Sequence, residues 1–363
     1  MRRLALIVTL PLLVTGCALN DIRRPVPTPP APSAPPPISA PAPAVPVTAD
    51  EVRRGQLPVP DDFDLGSVEF TDAEHGYGLF TRCGSRPRSK PSCTVRVLST
   101  TDGGRSWQQL RHPPLAANNP QLSAAGDHLL LFSEPHHWYI SADRGRSFRH
   151  ERSPEPPGAY WRLFGRFHVD EESGQVAEWV NGRAKPVPVQ PSLPEVARTV
   201  YANGRLIVVG LQDDRPYVVI SLDKGKTWQQ TIVARDSKVV FLRTLSSSDG
   251  RDVFLMGSDD RISFPLLWRL DGHRWEPVEA AGHPERVEEL AAIGDGMLAV
   301  TGPSGSGVIA DGRYQDLGWP LGGNEVRVLD DGTLFSVHPD RSIWLGIGHA
   351  TDRRWVKILT LNT

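Results

Sequence analysis

The sequence has little net charge and few cysteines, and its N-terminal apolar run is too short to cross a membrane. The 363 residues include 40 Lys and Arg against 42 Asp and Glu, a net charge of −2, whereas binding along nucleic acid needs a concentrated excess of basic side chains. The apolar run Leu4–Val14 falls short of the about 20 residues that a spanning helix requires. The composition therefore excludes bulk nucleic-acid binding and a multi-span membrane protein, while 39% hydrophobic residues are sufficient for a globular core.

The N-terminus resembles the signal of a bacterial lipoprotein. Two arginines precede the run Leu4–Val14, and small residues then lead directly into Cys17. This resemblance implies that residues 1–16 are a signal peptide and that Cys17 is lipidated, which places the protein outside the cytoplasm on a membrane. Ala18 rather than Asp follows the cysteine, so in a host with two membranes the outer one is expected. The alternative is an ordinary secretory signal followed by an accidental cysteine.

Residues 17–59 are predicted to be the lipidated cysteine and a linker. Between residues 25 and 46 the chain is mostly proline, alanine and serine, a composition that favours an extended polyproline II spacer of about 3 Å per residue. A proline-rich ligand for some partner is the alternative. The folded domain is expected to occupy residues 60–363.

The two remaining cysteines, Cys83 and Cys93, bracket a short loop between two strand-like runs. An even pair in an exported protein is expected to form a disulfide. We therefore predict a bond that joins the two arms of a hairpin.

Three segments, which begin at Thr100, Ser141 and Ser221, share the pattern [ST]-x-D-x-G-x-[ST]-[WF]. The pattern resembles the Asp box, or bacterial neuraminidase repeat, of sialidase-like β-propellers. In a turn between two strands, the carboxylate can accept hydrogen bonds from backbone N–H groups and the glycine can adopt a positive φ. We expect structural roles for Asp102, Gly104, Ser106, Trp107, Asp143, Gly145, Ser147, Phe148, Asp223, Gly225, Thr227 and Trp228.

The motif recurs with a period near 40 residues. Asp102 and Asp143 are 41 residues apart, and Asp143 and Asp223 are 80 apart, which is two periods. Weaker copies near residues 182, 271, 311 and 352 bring the count to seven, and each unit holds about four short β-rich runs. This spacing predicts an all-β fold, a seven-bladed β-propeller of four-stranded antiparallel blades. Six or eight blades are the alternatives, and ring closure is expected to use side-chain packing with some contribution from residues 57–59.

In propellers of this kind the Asp boxes lie on the face opposite the usual ligand mouth. Strand alternation then assigns binding to the loops between the second and third strands and to the connections between blades. The expected binding-face residues are Arg86, Arg88, Lys90, Glu134, His136, His137, Asp213, Asp214, Arg215, Asp259, Asp260, Arg261, His338, Asp340 and Arg341. The basic loop around Arg88 could meet an anionic partner or simply be solvated, and the histidine pair is expected to be a solvated loop end, so we predict no metal and no cofactor.

Two resemblances bear on function. The sialidase-like family opens its propeller with a Phe/Tyr-Arg-Ile-Pro motif, which residues 61–82 lack. Residues 68–78, with Phe70, Asp72, Gly76 and Tyr77, are similar to the blade opening of photosystem-assembly-factor-type propellers, which are scaffolds that bind protein. We therefore expect a membrane-anchored binding or scaffold module with a monomeric head, for an unidentified protein or glycan. The alternative is a sialidase-like exo-glycosidase.

Overall fold

The computed structural model describes residues 47–84, 92–115, 118–163, 165–170, 173–180, 183–192, 196–231, 233, 239–259, 263–322 and 325–360. Short strands dominate these residues and belong to seven separate sheets. Most strands alternate apolar and polar side chains or are apolar throughout, as expected for sheets covered on both faces. The prediction of an all-β, seven-bladed propeller is confirmed.

The first strand of the described chain, β1, spans Ala49–Val52, and a single 3-10 turn follows at Arg54–Gln56. The first blade contains β2 (Asp64–Phe70), β3 (Gly76–Gly84), β4 (Ser92–Thr100) and β5 (Gln108–Gln109). The second blade contains β6 (Asn118–Ala125), β7 (His128–Glu134), β8 (His137–Ser141) and β9 (Arg149–Arg152). The third contains β10 (Phe167–Val169), β11 (Val176–Val180) and β12 (Arg183–Pro186), preceded by the short helix α1 (Gly158–Arg162).

The fourth blade contains β13 (Val196–Ala202), β14 (Arg205–Gln212), β15 (Arg215–Ser221) and β16 (Gln229–Thr231). The fifth contains β17 (Phe241–Ser246), β18 (Val253–Ser258), β19 (Leu266–Asp271) and β20 (Arg274–Pro277). The sixth contains β21 (Glu289–Gly294), β22 (Met297–Gly302), β23 (Gly305–Ala310) and β24 (Arg313–Asp316). The seventh contains β25 (Glu325–Val328), β26 (Leu334–Val337), β27 (Ile343–His349) and β28 (Asp352–Ile358).

Both ends of the described chain contribute to the last blade. Strand β1 pairs in parallel with β28, with Ala49 opposite Trp355, and so adds a fifth strand to the seventh sheet. Leu57 and Val59 are buried in an apolar cluster that also contains Phe70 of the first blade and Phe335 of the last. The part of the chain that builds the propeller therefore begins earlier than the expected boundary at residue 60.

The core is divided among the interfaces between successive blades. Trp268 and Trp275 are buried with side chains of blades four and five, whereas Trp355 is buried with side chains of blades six and seven. Each wide side chain fills the gap between two twisted sheets, where burial of an aromatic ring stabilises the fold by a few kcal/mol. The disulfide prediction is confirmed, since Cys83 and Cys93 are opposite each other on β3 and β4 and are bonded.

The turn between β8 and β9 illustrates the local chemistry of the repeated motif. The Ser141 hydroxyl donates to Asp143 and accepts from the Gly145 N–H, each at 2.7 Å. Asp143 also accepts from the backbone N–H and the hydroxyl of Ser147. Gly145 has a φ of 81°, which a glycine adopts without steric cost.

The corresponding turns of blades one and four contain the same set of bonds. Asp102 accepts from Ser106 and Thr100, and Asp223 accepts from Thr227 and Ser221. Hydrogen bonds from Ser147 and Thr227 lower the pKa of Asp143 and Asp223 to about 2. Asp102, Asp143 and Asp223, each with the glycine two residues after it, therefore fix the shape of three turns.

The aromatic residue that ends each motif packs beside the turn. Trp107 is buried and donates its indole N–H to the Gly104 carbonyl. Phe148 packs partly buried against the cluster between blades one and two. Trp228 donates to the Val189 carbonyl, which follows the third blade.

Candidate functional site

The loops expected to bind a partner are only partly described. Arg86, Arg88, Lys90, Asp260 and Arg261 lie outside the described residues. Asp259, next to two of them, is exposed at the end of β18.

In blade two, the predicted residues lie at the hairpin between β7 and β8. Glu134 is exposed and accepts a hydrogen bond from Asn119, and His136 is exposed with a φ of 65°. His137 shares a hydrogen bond of 3.0 Å with His150 across the sheet. Burial and the neighbouring His150 lower the pKa of His137.

The predicted residues of blades four and seven also lie in tight hairpins. Asp213 and Asp214 are exposed with positive φ values, and β15 begins at Arg215. His338 contacts the Pro320 carbonyl, and Asp340 accepts from the N–H and hydroxyl of Ser342.

Arg341, also predicted, completes the blade-seven turn with a φ of 62°. The predicted binding-face residues that the structure describes therefore form separate groups, each at a hairpin or strand end of its own blade.

Charged side chains on the inner strands join neighbouring blades. Glu69 on β2 and Arg327 on β25 form an ion pair between the first and last blades. Arg243 on β17 and Glu289 on β21 form another between blades five and six, at 2.8 Å. Burial raises the pKa of Glu69, although the positive charge of Arg327 opposes that shift. Glu69 and Glu289 are therefore each paired with an arginine of a neighbouring blade.

A cavity of about 230 Å³ lies between blades five and six, and we refer to it as the blade-5/6 pocket. It is lined by the end of β18, the loop before β19 and the connection that leads to β21, the two kinds of segment that the sequence assigns to the binding face. Its apolar wall includes Phe241, Met256 and Val287, and the ion pair of Arg243 and Glu289 forms part of its polar wall.

Sequence reasoning missed the residues of this pocket. The available signal was one charged residue in each of two inner strands, Arg243 in FLRTLS and Glu289 at the start of ELAAIG. A charge in such a position is expensive to bury unless it is paired. The partner of each charge, however, comes from the neighbouring blade and is not evident from either strand alone.

Two further observations concern possible ligands and the membrane. Within the described ranges, no three His, Cys, Asp or Glu side chains are grouped so that they could hold a metal ion. In the same ranges, no helix has the length and apolar character needed to cross a bilayer.

No protein-family model and no curated protein matches the chain. Among solved structures, it is similar to YCF48 from Cyanidioschyzon merolae, with 15% identity, 83% of this chain and 87% of that chain covered, and a TM-score of 0.32. A protein from Lactobacillus plantarum has 17% identity, coverage of 79% and 96%, and a TM-score of 0.43. The GH74 xyloglucanase from Xanthomonas campestris has 17% identity, coverage of 82% and 47%, and a TM-score of 0.30. At these identities and TM-scores, the resemblances carry no inference about function, and the sheets themselves show that this chain is a seven-bladed β-propeller.

Proposed function

We propose that this chain is a lipid-anchored, extracytoplasmic propeller that binds a partner protein without covalent chemistry. The N-terminal resemblance to a lipoprotein signal supports the anchor, and the similarity of three turns to Asp boxes supports a structural role for Asp102, Asp143 and Asp223. The single observation that carries the binding role is the blade-5/6 pocket on the predicted binding face.

The size and lining of this pocket favour a side chain of a protein over a free small molecule. Its volume of about 230 Å³ is below the range of about 300–1,000 Å³ that is usual for small-molecule sites. Apolar walls beside a paired charge suit an anchoring side chain of a protein partner, because such residues dominate interfaces when they fill a desolvated pocket. Met256 adds an adaptable surface.

The inner-strand charges support binding over hydrolysis. A glycosidase of the usual type needs two carboxyl groups that flank one bond and can exchange protons. Glu69 and Glu289 are instead each held by an arginine of a neighbouring blade. In this proposal the pairs serve to join blades.

A site-specific photocrosslinking experiment in the living host tests the binding role. The photoreactive residue replaces Glu288, which is exposed beside the pocket, and in a control it replaces Asn203, which is exposed in a turn on the opposite face. We expect one discrete crosslinked protein from position 288 and none from position 203. The substitution Phe241→Ala should reduce the yield of the crosslinked product by about fivefold or more. Truncating a residue that forms an anchor pocket typically costs over about 1 kcal/mol of binding free energy.

Equal labelling from positions 288 and 203, or a yield unchanged by Phe241→Ala, would contradict the proposal. Thermal unfolding of the Phe241→Ala variant must remain close to that of the original chain for this result to count.

The anchor is tested separately through Cys17. Substitution by serine should abolish metabolic labelling with palmitate and release the protein from the membrane fraction, because no second anchor is proposed. Labelling that persists in the Cys17→Ser variant would contradict lipidation at this residue.

A further inference from the structure

The third blade differs from its neighbours in the number and position of its strands. Val187, directly after β12, contacts Gly225 of the next blade, just as Leu110, directly after the outer strand β5, contacts Gly145. Strand β12 is therefore the outer strand of its blade. The described part of the third sheet has three strands, in the order β10, β11 and β12, where most of the other sheets have four.

Helix α1 lies where the chain passes from the second blade to the third. Tyr160 and Leu163 pack against the apolar cluster of blade two around Trp138. Strand β10 instead contacts the inner strand of blade four, where the Thr199 hydroxyl donates to the Phe167 carbonyl at 3.2 Å. This arrangement leaves space between α1 and the third sheet.

That space is a cavity of about 530 Å³, which we call the blade-3 pocket. Three of its lining rings, Trp161, His168 and Trp179, are nearly parallel. Their centroids are 5.8 Å apart for the two tryptophans, 4.6 Å for His168 and Trp179, and 6.0 Å for Trp161 and His168. The pocket therefore has an aromatic wall built of three stacked rings.

Polar groups line the same cavity as the aromatic rings. Glu155, Asp170 and Arg183 also line the cavity. The indole N–H of Trp179 and Nδ1 of His168 are buried without a hydrogen-bond partner among the described residues. Burial lowers the pKa of His168, which favours the neutral ring with one donor and one acceptor.

We propose that the blade-3 pocket binds a neutral sugar ring of an oligosaccharide. The C–H face of a sugar packs on flat aromatic rings, while its hydroxyls can donate to carboxylates and accept from N–H and guanidinium groups. The volume is within the range of about 300–1,000 Å³ that ligand sites occupy. This site is separate from the blade-5/6 pocket and does not depend on it.

Other ligand classes fit the geometry less well. A quaternary or methylated amine requires rings arranged around the cation, whereas these three rings lie against one another. A phosphate-bearing ligand would meet the carboxylates of Glu155 and Asp170. A proline-rich peptide could also stack on the tryptophans, and the experiment below includes it as an opposing outcome.

Saturation-transfer NMR with the full chain in detergent tests the site. The probes are tetrasaccharides of glucose in α1,4 and β1,4 linkage and of N-acetylglucosamine in β1,4 linkage, together with a synthetic peptide of residues 25–46. We expect saturable binding of at least one tetrasaccharide. Trp161→Ala should weaken it about tenfold or more, and Trp161→Phe by about threefold or less, because the stacking surface is largely kept.

The matched control is Trp344→Ala, which removes a partly buried tryptophan of blade seven and should leave sugar binding unchanged. Failure of all three sugars to bind would overturn the proposal, as would equal effects of the Trp161 and Trp344 substitutions. Trp161-dependent binding of the peptide without sugar binding would assign the pocket to polypeptide instead. None of these results depends on the photocrosslinking outcome at Glu288.

Discussion

The second and third blades occupy adjacent positions in one ring, yet their repeated sequence motifs and their described strands differ. In blade two, Ser141, Asp143 and Ser147 bond one another across the last turn, and four strands complete the sheet. The corresponding unit of the third blade has no aspartate at its shortened motif near residue 182. Its described part contains three strands, a helix and an aromatic cavity. The blade that departs from the repeated sequence is therefore also the one with the cavity to which we assign a sugar.

The largest expected difference is in the free energy of unfolding lost when a tryptophan of a four-stranded blade or of blade three is replaced. Trp355 is almost fully buried between blades six and seven, so Trp355→Ala should lower the free energy of unfolding by about 3–5 kcal/mol. Trp161 is only partly buried, so Trp161→Ala should cost about 1 kcal/mol, as for typical substitutions. Denaturant unfolding of both variants measures the two costs. Similar losses would mean that the aromatic wall of blade three is part of the core.

A second prediction concerns the interface between blades three and four. Gly225 has a φ of 81°, and a Cβ there would lie 2.6 Å from Val187. Positive φ costs about 1–2 kcal/mol and overpacking a further 1–3 kcal/mol, so Gly225→Ala should destabilise the fold by about 2–5 kcal/mol. Gly204→Ala is the control, because its φ is 77° and its surroundings are open. Equal losses in the two variants would show that blade three does not pack closely against blade four.

A smaller effect is expected in acid. The folded-state pKa of Asp143 and Asp223 is about 2, below the unfolded value of about 3.9. The stability from these carboxylates is therefore present above about pH 4 and is lost as the pH falls towards 2. Thermal unfolding between pH 5 and 2 should show a shallower decline for an Asp143→Asn, Asp223→Asn double variant. Asp271→Asn, in the corresponding turn of blade five, is the matched control.

Much of the propeller was predictable because its rules are local. A hydroxyl two residues before an aspartate, and a glycine two residues after it, define a turn without reference to the rest of the chain. The expectation of about four short β-rich runs in each unit agrees with most of the blades, which have four strands each. Seven repeats at a period near 40 then left few alternatives for the fold.

The remaining features depend on contacts between units that the repeat does not encode. Strand β1 pairs with β28 across about 300 residues of sequence, and its own four residues contain no sign of that partner. Trp161, His168 and Trp179 come from a helix and two strands, so their stacking is not evident from any one of these elements. The pairing of Arg243 with Glu289 likewise joins two blades.

The proposal that the protein recognises ligands without covalent chemistry can be tested by the fate of a bound sugar. The full chain is incubated for a day with any tetrasaccharide that binds in a Trp161-dependent manner, and with fluorogenic sialosides and common glycosides, and the products are separated by chromatography. We predict that every substrate is recovered intact, at the level of a protein-free control. Hydrolysis that is abolished by Glu69→Gln or Glu289→Gln, in variants that unfold at the original temperature, would contradict this account and establish a glycosidase.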